Sequence, residues 1–260
     1  MLIDSHCHLD FHKFDDDRDA VIERARKIGV KFFVNAGDDL KSSLAGLELA
    51  QANDDIFCTF GVHPNEADKW DKKVEAAFVA AFAEDRMKND HNIVAIGEIG
   101  LDYFRNGASK EVQKTAFREQ IHLARREDMP LVIHCRDAFD DVIEILDDNH
   151  KKRVVFHCFD GDLETAQRIW EKGWLTSFTG MVSYPKNEEL RRVAKAAPAN
   201  LFMVETDAPF LPHQDFRGKR NEPAFVERLV DDIAELRGVS HSEAAELSSK
   251  NALEFYGFTK

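Results

Sequence analysis

Short apolar runs recur along the chain, each followed by a longer stretch in which apolar residues return every three or four positions. Leu2-Ile3 leads into Asp4-Ser5-His6-Cys7-His8, an apolar opening that passes into alternation and reads as a strand. Further strands are predicted at Lys31–Ala36, Ile56–Val62, Ile93–Glu98, Leu131–His134, Val154–His157, Trp174–Phe178 and Leu201–Val204. Helices are predicted at Asp15–Lys27, which Gly29 ends, and at Leu40–Ala52, Lys73–Lys88, Lys110–Glu127, Ala138–Leu146, Leu163–Trp170 and Asn187–Ala196. The clearest stripe is Val112, Ala116, Phe117, Ile121 and Ala124. Two more helices close the chain. One opens at Asn221-Glu222-Pro223, with proline in its first turn, and the other carries Ser240 and Glu243 as a capping box. Strands alternating with helices over 260 residues predict an α/β protein, a (β/α)8 TIM barrel forming a single domain 1–260 with extra C-terminal helices. A doubly wound open sheet is the alternative. It would need a Gly-rich phosphate turn after the first strand, and it would not bring first and eighth strands together.

The polar residues that interrupt the strands fall at their ends, where barrel enzymes keep their chemistry. By the period of two, His6 and His8 leave the first strand on one side and Cys7 on the other, and paired imidazoles form a divalent-metal half-site. His63 follows the third strand, Glu98 ends the fourth, His134 the fifth and His157 the sixth, while Glu205 and Asp207 follow the eighth. Each is a weak signal alone; in this order they are a strong one. His6, His8, Glu98, His134, His157 and Asp207 exceed what one tetrahedral zinc takes and fit two metals, with Glu98 best placed to bridge. Two cations about 3.5–4 Å apart clamp the attacking and leaving oxygens of a displacement, which is hydrolysis without redox chemistry. Glu205 shares a face with Asp207 and is expected to position a ligand or a basic residue. Arg217, Lys219 and Arg220 follow strand eight, and Arg105 and Arg136 lie just past other strand ends; together they read as phosphate capture. Tyr103, Phe104, Phe210 and Phe216 lie near the same ends and could stack a base.

Composition narrows the class. At 43% hydrophobic and 32% charged, the chain suits a large core. A net charge of −13 excludes a protein that coats nucleic acid electrostatically, leaving an acidic enzyme with a local basic mouth. Cys7, Cys58, Cys135 and Cys158 are scattered without a C-x-x-C pair, which argues against a disulfide scaffold or zinc ribbon. There is no apolar run of about 18 residues and no signal-peptide pattern, so the expectation is a cytoplasmic protein without a membrane partner. His12, His91, His122, His150, His213 and His241 read as surface or capping histidines.

The motifs resemble those of a known family. They are Asp4-Ser5-His6-Cys7-His8-Leu9-Asp10, Gly61-Val62-His63-Pro64, Gly97-Glu98-Ile99-Gly100-Leu101-Asp102-Tyr103 and Val132-Ile133-His134-Cys135-Arg136-Asp137-Ala138. His157-Cys158-Phe159, Glu205-Thr206-Asp207-Ala208-Pro209 and Arg217-Gly218-Lys219-Arg220-Asn221-Glu222-Pro223 complete the set. In this order the chain resembles the TatD-type metal-dependent deoxyribonucleases of the amidohydrolase-like barrels. The resemblance implies a phosphodiesterase acting on DNA as a 3′–5′ exonuclease, with single strands or 3′ ends as partner and a role in DNA repair or degradation. It implies two divalent ions (zinc, manganese or magnesium), one on His6, His8, Glu98 and Asp207, the other on Glu98, His134 and His157. Asp207 would orient the nucleophilic water and His63 would face the scissile phosphate or leaving group, so that Asp207, Glu98 and His63 are the catalytic residues. Three positions depart from the family pattern: Asp160-Gly161-Asp162, Phe216 and Asn65. The rival reading is a metal-dependent amide or ester hydrolase such as an aminoacyl-nucleotide deacylase. Glu98, standing where such barrels often carry a modified lysine, and the arginines both favour the phosphodiester. A monomer is compatible with the chain.

Overall fold

The computed structural model describes residues 1–88, 90–149 and 153–258; His150 lies outside them. The order is β1 (Leu2–Cys7), α1 (Arg18–Lys27), β2 (Val30–Asn35), α2 (Leu40–Ala52), β3 (Ile56–Phe60), α3 (Lys72–Lys88), β4 (Ile93–Asp102), α4 (Lys110–Glu127) and β5 (Leu131–Arg136). It continues with α5 (Phe139–Asn149), β6 (Val154–Phe156), α6 (Leu163–Glu171), β7 (Leu175–Phe178), α7 (Glu188–Ala196), β8 (Phe202–Val204), α8 (Val226–Arg237) and α9 (His241–Tyr256). The strands form one sheet in the order β1 to β8, the (β/α)8 TIM-barrel order that the sequence predicts. α8 completes the eighth strand–helix pair and α9 is added after it. The strands of a parallel sheet are buried on both faces, and every residue of β1, β3, β4, β6, β7 and β8 is buried. Among the described residues no helix is long and apolar enough to cross a membrane.

Two compact units make up the chain. The first, Met1–Val34 with His157–Gly257, joins the two ends of the sequence. Here β1 runs beside the end of β8. The Asp207 amide donates to the His6 carbonyl at 2.9 Å, and the His8 amide donates to the Ala208 carbonyl at 2.7 Å. Asp4, wholly buried, accepts the Thr206 amide at 2.8 Å and its hydroxyl at 2.6 Å. Burial pushes the Asp4 carboxyl up to about 8, against the pull of those two bonds. Helix α9 holds both strands from outside. Tyr256 donates to the Ser5 carbonyl at 2.8 Å, Ser249 to the Met1 carbonyl at 3.0 Å, and Ser248 accepts the Val204 amide at 2.9 Å. Ser240 caps the helix by accepting the Glu243 amide at 3.2 Å.

The second unit is built on Asn35–Phe156. β3 pairs in parallel with β4, β4 with β5 and β5 with β6. On α3, Phe78 and Phe82 fall one turn apart and meet Phe60 of β3 edge to face, with ring centroids 5.1 and 5.4 Å away. β4 runs four residues beyond Glu98, where the sequence reading ends it, because β5 continues alongside to Arg136. Two glycines permit that length. Gly100 has φ +141°, and a Cβ there would strike the His134 carbonyl oxygen. A Cβ on Gly61 would lie 2.5 Å from the Gly97 carbonyl carbon.

Gly100→Ala combines a disfavoured φ with a collision against β5. It should destabilise the protein by about 3 kcal/mol or more in urea unfolding followed by circular dichroism. Unchanged stability would show that β4 and β5 do not approach so closely.

Candidate metal centre

In the first unit, the alternation of β1 sends the rings of His6 and His8 to one side, their Nε2 atoms 3.3 Å apart. Just past β8 the backbone turns into the left-handed region at Asp207, φ 53°, a conformation that aspartate tolerates better than most residues. The turn delivers Asp207 Oδ1 to 3.3 Å from His8 Nε2 and 3.8 Å from His6 Nε2. The His157 ring stacks on that of His6 at 4.0 Å with an interplanar angle of 9°. Its Nδ1 lies 3.3 Å from Glu205 Oε1, which also accepts the Cys158 amide at 2.7 Å. A carboxylate at Nδ1 fixes the proton there and leaves Nε2 with its lone pair. All five of these side chains are buried. His6, His8 and Asp207 each bring one donor atom to a common point, and two neutral imidazoles with a carboxylate form a set that zinc, manganese or another divalent cation fits.

The second unit gathers another such set. His63 caps the short 3-10 turn Pro64–Lys69, its Nδ1 accepting the Asn65 amide at 3.0 Å. That acceptor role puts the proton on Nε2, which stands 3.5 Å from Glu98 Oε1. His134 sits between two carboxylates, with Nδ1 2.7 Å from Glu98 Oε1 and Nε2 3.2 Å from Asp102 Oδ2. Asp102 is fully buried and accepts the Phe104 and Arg105 amides at 3.0 and 2.9 Å, while Asn65 Nδ2 donates to it at 3.2 Å. Burial acts to raise the Asp102 carboxyl, but the bonds from His134, the Arg105 amide and Asn65 outweigh it and hold it below the usual carboxylate range. His63, Asp102 and His134 bring their donor atoms to one point. Asp102 is the residue the sequence reading left without a role. Only because β4 runs on to Asp102 does the period of two set it on one face with Glu98 and Gly100.

The basic residues separate. Arg220 donates to Asp17 at 2.7 and 2.8 Å, to Glu222 at 3.1 Å and to the Lys13 carbonyl at 2.7 Å, so it ties the β8–α8 loop to the start of α1. Arg217 and Lys219 are exposed, the former with its guanidinium 4.5 Å over the Tyr184 ring. Arg105 is exposed, and Arg136 lies 3.9 Å over Phe104. The departures from the family pattern have structural partners. Asp162 caps α6 by accepting the Thr165 amide at 2.8 Å, Phe216 stacks on Phe225 at 3.9 Å, and Asn65 braces Asp102. His213 is a buried capping histidine, accepting the Asp215 amide at 3.1 Å and facing Asp232 at 3.0 Å.

The sequence model of the TatD related DNase family matches residues 3–257. The chain belongs to that family. Among similar TatD-family and related proteins is the "Uncharacterized metal-dependent hydrolase YabD" of Bacillus subtilis (strain 168), 35% identical, with 98% of this chain and 99% of that protein covered. The "3′-5′ ssDNA/RNA exonuclease TatD" of Salmonella typhimurium is 33% identical, covering 96% of this chain and 97% of that protein. The crystal structure of YjjV, a TatD homologue from Escherichia coli K12, superposes with a TM-score of 0.91 at 29% identity, covering 99% of this chain and 98% of that one.

Within this TatD-family site, Glu205 acts on His157 without being a donor of the common set. Glu205→Gln removes the negative charge that fixes the His157 tautomer while keeping the size of the side chain. Metal affinity, measured by competition with a chelator, should fall by about 10- to 100-fold with the circular dichroism spectrum unchanged. Wild-type affinity in the variant would remove Glu205 from the metal centre.

Proposed function

We propose that the protein is a metal-dependent phosphodiesterase that removes nucleotides stepwise from the 3′ end of single-stranded DNA. The observation that carries this reading is the buried convergence of His6 Nε2, His8 Nε2 and Asp207 Oδ1, each within 3.8 Å of another. Two neutral imidazoles and a carboxylate that aim their donor atoms at one buried point are a donor set that a divalent cation fits. Family membership supports Glu98 as the ligand common to two divalent ions, with His6, His8 and Asp207 completing one set and His134 and His157 the other. Such ions supply positive charge against a phosphodiester and Lewis acidity at its oxygens.

The chain's own residues do the rest. Asp207 accepts a proton from the attacking water and orients it toward phosphorus. His63, with its proton on Nε2 because Nδ1 accepts the Asn65 amide, donates a hydrogen bond to the leaving oxygen, which takes up the proton that Asp207 accepted from the water. Glu205 holds His157 in one tautomer, and Asp102 with Asn65 holds His134 and His63 in register. Exposed Arg217 and Lys219 suit capture of a phosphate or two rather than of a long duplex, which favours a chain end. The 3′–5′ exonuclease named among the relatives supports the same direction of attack.

Oligonucleotides labelled at the 3′ end, incubated with magnesium, manganese or zinc, should release labelled mononucleotide before internal shortening begins. Equal cleavage of a closed circular single strand would rule out the end-directed mechanism. His63→Ala should lower turnover by about 100-fold with metal content unchanged, in line with the loss of one hydrogen-bond donor to the charge that develops on the leaving oxygen. Metal lost from that variant would reassign His63 as a ligand. Glu98→Ala should abolish hydrolysis and lower the metal content of a protein that still folds, and full activity in that variant would sink the shared-ligand role.

A further inference from the structure

We propose that Phe11 and Phe210 form a stacking platform for the nucleobase next to the scissile phosphate, with Lys13 set to meet the adjoining phosphate. The inference rests on the phosphodiesterase reading and names how that site grips its substrate. Phe210 is 37% exposed and Phe11 half-buried, and their rings meet edge to face with centroids 5.3 Å apart at 67°. Phe210 also meets the His8 ring edge to face at 5.7 Å. The apolar surface therefore begins where the donor set of His6, His8 and Asp207 ends.

The rings are fixed to that donor set by their backbones. The Phe11 amide donates to the His8 carbonyl at 3.1 Å, and the Phe210 amide donates to the Asp207 carbonyl at 2.8 Å. Each ring thus stands three residues past a ligand on a closed turn. Both turns are pinned. Arg18 donates to the Leu9 and Asp10 carbonyls at 2.7 and 3.3 Å, while Asn221 Nδ2 donates to the Thr206 and Phe210 carbonyls at 2.7 and 2.6 Å. Rigid placement of a partly exposed aromatic pair keeps the entropy of ordering low when a flat partner lands on it. The exposed Lys13 ammonium lies 5.9 and 5.8 Å from the two ring centroids, within cation–π range, where it can also reach an anion carried beside a stacked ring.

A flat apolar ring joined to an anion is a nucleotide, and a splayed base is available only from a single strand or a frayed end. Of the other aromatic candidates near strand ends, exposed Phe104 has its ring covered by the Arg136 guanidinium at 3.9 Å. Phe216 is stacked on Phe225, and Tyr103 donates to Asp141 at 2.5 Å beneath the Lys110 ammonium.

The test compares oligonucleotides that end in a normal or an abasic 3′ nucleotide, in wild type, in Phe210→Ala and in the double variant Phe11→Ala/Phe210→Ala. Wild type should prefer the normal end in kcat/KM by roughly 5- to 150-fold, and the double variant should lose most of that preference. Phe210→Trp should keep it, which separates a stacking role from one of packing. A 2-aminopurine base at the 3′ end reads the same contact without turnover: its fluorescence should be quenched on binding to wild type and far less on binding to the double variant. Hydrolysis with the base preference intact in the double variant would overturn the platform and leave the phosphodiesterase standing. If wild type hydrolyses no oligonucleotide, the phosphodiesterase reading fails. The 2-aminopurine signal then decides the platform alone, with quenching absent or equal in both proteins overturning it.

Discussion

The first and last strands are held together by a buried carboxylate. Asp4 accepts two hydrogen bonds from Thr206, one from the amide and one from the hydroxyl, and that hydroxyl in turn accepts the Ala208 amide at 3.1 Å. Two backbone bonds then register His6 with Asp207 and His8 with Ala208. The candidate ligands His6 and His8 and the candidate ligand Asp207 lie about 200 residues apart in sequence, so nothing local fixes their spacing. Loss of any of these bonds would leave a buried donor or acceptor unpaired, at about 1–3 kcal/mol each, and that penalty is what makes the register sharp. Asp4 is therefore a structural carboxylate, despite standing two residues from a metal-ligand candidate.

The same logic of satisfied polar groups runs through the second unit. Gln113 of α4 donates to the Asp102 carbonyl at 3.0 Å and accepts its amide at 2.8 Å, so a side chain meets both backbone groups of the last residue of β4. Gln120, two turns later on the same helix, does this for Val62, accepting its amide at 2.7 Å and donating to its carbonyl at 3.1 Å. Both glutamines are buried. A helix behind the strands thus orders the two strand ends that carry His63 and Asp102, which explains why α4 keeps glutamine on its apolar face.

Period-two alternation made most of the candidate site legible in the sequence. It paired His6 with His8 and Glu205 with Asp207, and the strand-end rule gathered Glu98, His134 and His157. What escaped had physical reasons. The Gly97-Glu98-Ile99-Gly100 stretch reads as a strand end because glycine weakens a strand, yet Gly100 is there to let β4 pass close against β5, and so Asp102 was cut from the strand that presents it. Arg220 looked like its neighbours Arg217 and Lys219, since a sequence does not say that Asp17, some 200 positions earlier, accepts both of its nitrogens. Phe11 gave no signal at all: its value comes from facing Phe210, a pairing that only the closure of β1 on β8 creates.

That closure also bears on how an acidic chain can act on a polyanion. With a net charge of −13, long-range attraction for nucleic acid is unfavourable, and several cations are already committed to carboxylates, Arg220 and Arg24 to Asp17 and Glu222 among them. Grip must then come from short-range contacts gathered at one place. Coordinated cations offset charge only at the phosphate being cut, and a stacked ring is insensitive to the charge of the surface around it. In the proposed site both resources fall on the same two turns, because the residues three past His8 and three past Asp207 are the phenylalanines. Under the proposed function, an enzyme built this way would hold a nucleotide or two firmly and the rest of the strand hardly at all, so that work on a chain end would follow from its electrostatics as much as from the shape of its site.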